Sequence, residues 1–197
     1  RKHAFLAESA SLLQAEREEY LNIMAGGLRI EDLGSSINLL SEYLYRYYDR
    51  KVIILLDEYD TPMQEAYVNG FWDEMVSFMR GFFNATFKTN PYLERGLMTG
   101  ITRVSKESIF SDLNNLEVVT TTSVKYQEAF GFTEKEVFLA LDEFGLQEEG
   151  QKVKEWYDGF RFGDCGSIYN PWSVIQFLDK KKYAPYWANT SSNSLIG

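Results

Sequence analysis

Two acidic residues, Asp57 and Glu58, directly follow five apolar residues, Val52–Leu56. A parallel-sheet strand that ends in this way places carboxylates at the edge where such sheets bind ligands. Asp57 would hold Mg²⁺, directly or through water, beside the β- and γ-phosphates of a nucleotide. Glu58 would be the general base that polarises the attacking water. The same pattern also serves helix capping or solubility, so by itself it leaves nucleotide hydrolysis and a structural role equally open.

A phosphatase is the rival interpretation of the same segment. Asp57, Glu58 and Asp60 form a compact acidic cluster, and Thr61 follows it. Phosphatases of the haloacid dehalogenase type place a nucleophilic aspartate in the spacing Asp-x-Asp-x-Thr, whereas the order here is Asp-Glu-Tyr-Asp-Thr. The register differs by one residue, so we disfavour a phosphatase and keep Asp60 as a further candidate ligand for Mg²⁺.

A second short apolar segment, Gly96–Gly100, carries Thr99 near its end, and Arg103 follows shortly after. In P-loop ATPases a strand beside the acidic one ends in a polar residue that senses the γ-phosphate or orients the water. Thr99 is placed for that role, and Arg103 could pair with a phosphate or a carboxylate. The structural alternatives are an ordinary strand-end hydroxyl for Thr99 and a loop-holding salt bridge for Arg103.

The loop that binds phosphates in such enzymes is missing from these 197 residues. It requires the string Gly-x-x-x-x-Gly-Lys-Ser/Thr, whose backbone amides and lysine hold the phosphates. Gly26-Gly27 is followed by Leu28-Arg29 and has no such lysine. The chain also begins without a methionine, and we expect it to start inside a longer protein. We therefore expect the chain alone to bind ATP weakly or not at all.

The elements that position these residues alternate between helix and strand. Helices are predicted up to about Ala25, over Ser36 to about Asp49 and over Phe71 to about Phe87. Strands are predicted at Val52–Leu56, Gly96–Gly100 and Glu117–Thr121. This alternation predicts an α/β fold with a parallel sheet. The uninterrupted apolar run of the first strand predicts burial on both faces.

After Phe132 the sequence predicts helices and turns instead of alternating helices and strands. Thr133 and Glu136 form a capping-box pattern that opens a helix ending near Gly145. Another helix is predicted over Glu148–Tyr157, then a turn-rich segment, and a last helix that opens at Asn170-Pro171. We predict an α/β core over residues 1–132 and a small helical lid over residues 133–197.

The amino-acid composition argues against several kinds of catalytic site and binding partner. The chain has one cysteine and one histidine, His3, which disfavours a disulfide, a zinc site or a Ser-His-Asp triad. A net charge of −9 disfavours direct binding of nucleic acid. No apolar run approaches the length of a membrane-spanning helix, and no signal peptide is visible, so we expect a cytoplasmic protein without membrane contact.

From about Leu33 onward the chain resembles the predicted AAA-ATPase-like family, in the strings VIILLDEYDTP, LMTGITRVSKESIFSDLNNL, WYDGFRF and IYNPWSVIQFL and the ending YWANTSSNSLIG. These bacterial proteins are related to the signal-transduction and archaeal-type ATPases. The resemblance implies a P-loop NTPase fold with a helical lid. It matches Asp57 and Glu58 to the Walker B pair, Thr99 to the sensor position and Arg103 to the basic residue after it.

The resemblance also implies that the phosphate-binding loop lies upstream and that the parent protein binds Mg²⁺ and ATP. The implied parent is a regulatory or DNA-associated ATPase, which often continues into a restriction-endonuclease-like nuclease domain. The competing hypothesis is a scaffold module that never hydrolyses nucleotide. In it, aromatic side chains of the carboxyl-terminal part would form a surface for a protein partner; they are Trp156, Tyr157, Phe160, Trp172, Tyr186 and Trp187.

Overall fold

A computed structural model describes residues 2–27, 29–101, 109–110 and 113–187, except for the side chains of residues 30 and 31. Contacts within the chain divide it into two compact units, Arg1–Leu116 and Glu117–Gly197. The chain has a mixed α/β fold, with a small parallel sheet and helices in the first unit. No helix of the described residues combines the length and apolar character that crossing a bilayer requires.

The described part of the first unit contains four α-helices and two strands. In chain order they are α1 Gln14–Met24, α2 Ser36–Tyr48, β1 Val52–Leu56, α3 Thr61–Asn69, α4 Trp72–Phe83 and β2 Leu93–Met98. Short 3₁₀ helices at Ala4–Glu8 and Ile30–Ser35 precede α1 and α2, and a π-helical turn, Asn84–Lys88, extends α4. The predicted helix over 36–49 is confirmed, and the one over 71–87 corresponds to α4 and its extension.

Strands β1 and β2 pair in parallel, so that Ile54 lies opposite Gly96 and Leu56 opposite Met98. The parallel pairing confirms the sheet type predicted from the alternation of elements. The inward face of the sheet packs through Leu56 and Met98 on a core that α3 and α4 contribute, with Met63, Met79 and Phe83 among its buried members.

The prediction that β1 is buried on both faces is wrong for the described residues. Burial alternates along the strand, and Ile53 and Leu55 are 64% and 72% exposed. Successive side chains of a strand point to opposite faces, and described residues cover only one face of this sheet. An uninterrupted apolar run does not itself specify what covers the second face.

The described part of the second unit combines three α-helices with three strands. They are β3 Phe132–Thr133, α5 Glu134–Glu143, α6 Gly150–Tyr157, β4 Asp158–Phe162, β5 Cys165–Tyr169 and α7 Pro171–Lys180. The strands form an antiparallel sheet in the order β3-β5-β4. Ile168 and Tyr169 of β5 are fully buried, and Tyr169 joins Val137, Val153 and Phe177 in one core cluster.

The predicted starts of α5 and α7 are confirmed in detail, whereas α6 begins two residues later than predicted. The Thr133 hydroxyl accepts a hydrogen bond from the backbone N–H of Glu136, and the Glu136 carboxylate accepts one from the N–H of Thr133. Asn170 caps α7 by accepting a hydrogen bond from the N–H of Ser173 at 2.9 Å, with Pro171 in the first helical position. Gly145 adopts a left-handed φ of 66° just beyond α5.

Two predictions about this part of the chain are wrong. The turn-rich segment after Tyr157 forms the hairpin of β4 and β5, so the unit is not purely helical. Residues 117–121, all of them described, form no strand. The prediction of a domain boundary at 132/133 remains a prediction; that position is where the regular elements of the second unit begin.

Candidate functional site

Asp57 and Thr99 come together just beyond the carboxyl ends of β1 and β2. The Thr99 hydroxyl donates a hydrogen bond to Oδ1 of Asp57. The backbone extends the strand pairing to this point, because the N–H of Thr99 donates to the carbonyl of Leu56 at 2.9 Å. Parallel neighbours end at the same edge of a sheet, which is why two residues 42 positions apart meet here.

Glu58 interrupts the regular ladder. In a parallel pair, the carbonyl of Thr99 would accept the N–H of the residue after Asp57. Instead, that N–H, of Glu58, donates to Oδ1 of Asp57 at 3.1 Å, and the carbonyl of Thr99 accepts the N–H of Tyr59 at 3.0 Å. Glu58 is therefore an extra residue in the ladder, a bulge, and it has a left-handed φ of 51°.

Asp60 differs from its two acidic neighbours in burial. Asp57 and Glu58 are exposed, whereas only 1% of Asp60 is accessible to solvent. Its Oδ2 accepts a hydrogen bond from the Gln64 side-chain amide at 2.9 Å, one turn further into α3. The acidic cluster read from the sequence is thus two surface carboxylates and one buried carboxylate.

Gly100 lies against Asp60 more closely than a side chain would allow. A Cβ atom at position 100 would stand 2.6 Å from Oδ1 of Asp60 and 2.7 Å from Cε1 of Tyr59. Gly100 and Gln64 are not among the site residues predicted from the sequence. The signal available there was a glycine directly after the polar strand-end residue, and a Gln four residues after Asp60 on a helix face.

Arg103, the basic residue expected near Thr99, lies outside the described residues. Its proposed contact with a phosphate or a carboxylate therefore stays a prediction.

The donor set at the strand ends fits Mg²⁺ in one respect. Mg²⁺ takes one or two carboxylates, keeps several waters and is completed by substrate phosphates. Asp57, exposed and hydrogen-bonded from one side by Thr99, supplies one such carboxylate. Among the described residues, no group of three or more His, Cys, Asp or Glu side chains is arranged to hold a metal ion by itself. Phosphate oxygens would have to complete the coordination.

The aromatic side chains of the scaffold hypothesis fall into two groups. Tyr157 belongs to the core of the second unit, Tyr186 packs against it, and Phe160 is partly buried. Trp156, Trp172 and Trp187 are each about half exposed. Half-exposed indoles do not by themselves define a partner surface, because exposed apolar residues are ordinary on folded proteins.

Part of the chain matches the model of a known protein family. Residues 3–110, more than half of the chain and including all of β1 and β2, match the model of a family described as predicted AAA-ATPase. The chain belongs to this family. The match ends before the second unit begins, so membership in the predicted AAA-ATPase family rests on the unit that carries Asp57, Glu58 and Thr99.

A curated relative is described as an uncharacterized protein in the vnfD 5′ region of Azotobacter chroococcum mcd 1. It is 27% identical over 150 residues, which are 74% of this chain and 28% of the relative. The chain thus spans little more than a quarter of the relative's length. No solved structure matches the chain.

Proposed function

We propose that this chain supplies the magnesium and water end of an ATP-hydrolysis site in a larger ATPase of P-loop NTPase type. The observation that carries the proposal is the meeting of Asp57 and Thr99 at the carboxyl ends of two parallel strands, with Glu58 directly beside them. Membership in the predicted AAA-ATPase family supports the same reaction class.

Each residue then has a defined task. Asp57 offers a carboxylate to the metal, and Thr99 orients that carboxylate through its hydroxyl hydrogen bond. Glu58, exposed at the bulge, accepts the proton of the attacking water as general base. Bound magnesium would offset negative charge on the β- and γ-phosphates. Arg103 is proposed as the cation that meets the γ-phosphate.

The phosphate cradle would have to come from polypeptide outside these 197 residues, because the Gly-Lys-Ser/Thr loop does not occur among them. The relative that matches the chain over 28% of its own length has ample further sequence for such a loop. ATP binding and turnover are accordingly proposed for the larger protein rather than for the chain alone.

The test compares Glu58→Gln with wild type in the natural full-length protein. We expect MgATP to raise the melting temperature of both proteins equally, because the amide is nearly isosteric with the carboxylate. Turnover should fall by about 100-fold or more, the usual contribution of a general base. Glu94→Gln is the matched control and should keep full turnover, because Glu94 is an exposed acid near the amino end of β2, away from the site at its carboxyl end.

The opposite results are equally informative. Turnover of Glu58→Gln equal to wild type would remove Glu58 from the mechanism. Absence of any melting shift with MgATP in the wild-type protein would favour the scaffold hypothesis over an ATPase.

A further inference from the structure

The bulge at Glu58 is an unfavourable conformation that neighbouring residues must hold. A left-handed φ of 51° places the Cβ of a non-glycine residue close to its own backbone. Such residues persist where surrounding contacts hold them in place. Bulges near functional sites commonly change the direction of one side chain. The question is which contacts hold this one.

Backbone hydrogen bonds close the bulge on both sides. The Tyr59 N–H donates to the carbonyl of Thr99 at 3.0 Å, and the Thr61 N–H donates to the carbonyl of Glu58 at 3.1 Å. The first bond joins the loop to the end of β2, and the second joins it to the start of α3. Backbone hydrogen bonds thus fix the chain directly after Glu58, both to the end of β2 and to the start of α3.

Asp60 lies between these two points and is almost fully buried. One side of its carboxylate faces Gly100, at a separation that leaves no room for a Cβ atom. Its other oxygen accepts the Gln64 side-chain amide at 2.9 Å, and its backbone carbonyl accepts the Gln64 N–H at 3.0 Å. The residue after Thr99 thus packs closely against the N-cap residue of α3.

We propose that Asp60 and Gly100 form a clamp that positions Glu58 for proton transfer. The clamp keeps the loop against the end of β2, so that the extra residue in the ladder stays at Glu58. Asp60 is in this proposal a positioning residue rather than a ligand for Mg²⁺. The inference rests on the proposed function of Glu58, and it adds residues that the sequence motif does not assign.

The burial of Asp60 separates these two roles. A ligand for Mg²⁺ must reach the ion and its waters, as the exposed carboxylate of Asp57 does. Asp60 is instead 1% exposed, with Gly100 close to Oδ1 of its carboxylate and the Gln64 amide hydrogen-bonded to Oδ2. A Cβ atom at position 100 would press on the Asp60 carboxylate and on the Tyr59 ring. The backbone N–H of the same Tyr59 makes the hydrogen bond that closes the bulge.

The experiment uses the natural full-length protein with Gly100→Ala and Asp60→Asn. Gly159→Ala is the control, because this strand glycine has open space where a Cβ would stand and is not in a left-handed conformation. Asp57→Asn is the reference for loss of a metal ligand. The measurements are kcat and KM for ATP, the Mg²⁺ concentration for half-maximal rate, and hydrogen exchange of the Tyr59 amide.

We expect Gly100→Ala to lower kcat by about 10- to 100-fold, the range for a small misplacement of a reacting group, with KM changed less than about threefold. Asp60→Asn should lower kcat severalfold and leave the Mg²⁺ requirement at the wild-type value, whereas Asp57→Asn should raise that requirement. The Tyr59 amide should exchange faster in Gly100→Ala than in Gly159→Ala.

Two results would overturn the clamp: an unchanged kcat in Gly100→Ala, or a Mg²⁺ requirement raised as much by Asp60→Asn as by Asp57→Asn. If the wild-type protein has no ATP turnover, the proposed function fails separately. Exchange of the Tyr59 amide then decides the clamp alone, since equal rates in Gly100→Ala and Gly159→Ala would exclude it.

Discussion

The two units of the chain complete their sheets to very different degrees. In the first unit, the parallel pair β1–β2 buries one face, and the described residues leave Ile53, Leu55 and Leu97 exposed on the other. In the second unit, β5 is the central strand of an antiparallel sheet, and its Ile168 and Tyr169 are fully buried. Parallel sheets are normally covered on both faces, whereas antiparallel sheets are stable with one face open.

The two units therefore differ in how completely the described residues bury their apolar surface. The second unit has a closed core and side-chain caps on α5 and α7. The first unit carries the candidate chemistry and leaves apolar surface beside it: Asp57 and Thr99 follow Leu55 and Leu97 by two residues each. By the period of a strand, all four belong to the open face. Chemistry and incomplete coverage therefore coincide in one unit.

The largest predicted contrast concerns two isoleucines on strands. Ile168→Ala in the second unit should lower the free energy of unfolding by about 2–5 kcal/mol, because it removes a fully buried side chain and leaves a cavity. Ile53→Ala should cost less than about 1 kcal/mol in the 197-residue chain, since Ile53 is 64% exposed. Urea denaturation monitored by circular dichroism measures the free energy of unfolding of both variants. Equal losses would show that the open face is covered in solution.

A smaller contrast concerns ion pairs. Arg46 of α2 donates to both carboxylate oxygens of Glu16, at 2.9 and 2.7 Å, and also to Glu42. The pair is about three-quarters buried, so Arg46→Met should cost about 1–3 kcal/mol at neutral pH. Lys125→Met is the control in the second unit. Its pair with Glu117 is more than half exposed, and its loss should leave the unfolding midpoint unchanged.

The Arg46 effect should also depend on pH. The Arg46 side chain, with the N–H of Leu13, lowers the pKa of Glu16 from its ordinary value of 4.5. A lowered pKa in the folded state contributes stability above the unfolded pKa and loses it as pH falls through the folded pKa. Unfolding curves of wild type and Arg46→Met should therefore converge below pH 4.5. A gap that stays constant to acid pH would assign the effect to contacts of the guanidinium that do not titrate, such as its position over the Tyr43 ring.

The smallest predicted contrast concerns helix starts. Thr133→Ala removes the side-chain cap of α5 and should cost about 1 kcal/mol. Among the described α-helices of the first unit, no N-cap side chain accepts such a hydrogen bond. Ser35→Ala, at the uncapped start of α2, should therefore change the denaturation midpoint much less. A larger loss at Ser35 than at Thr133 would contradict the assignment of caps.

The sequence predicts the first strand and its polar end better than it predicts their surroundings. Val52–Leu56 and the acid after it could be read from the order of residues, and the predicted parallel pairing places Thr99 at the same edge. Burial of Asp60 could not be read, because it depends on the approach of Gly100 from a distant part of the chain. Helix α3 was missed although Thr61-Pro62 begins it and Gly70 ends it, a proline-first and glycine-last pattern.

The remaining errors have one physical origin, which is that strands depend on partners. Glu117–Thr121 has β-branched residues but forms no strand, since β propensity reflects packing context rather than an intrinsic backbone preference. The hairpin of β4 and β5 was hidden by its glycines. The alternation of Phe160 and Phe162, whose rings stack at 6.0 Å, was the signal that could have revealed it.

At position 58 the backbone conformation favours glycine, whereas the proposed chemistry requires a carboxylate. A glycine there would adopt the same conformation without the steric penalty of about 1 kcal/mol or more that an L-residue bears. The same glycine would remove the carboxylate that the proposed reaction requires. In its proposed role, Glu58 therefore lowers the stability of the fold in exchange for activity. Substitutions at this position that stabilise the fold would abolish ATP hydrolysis.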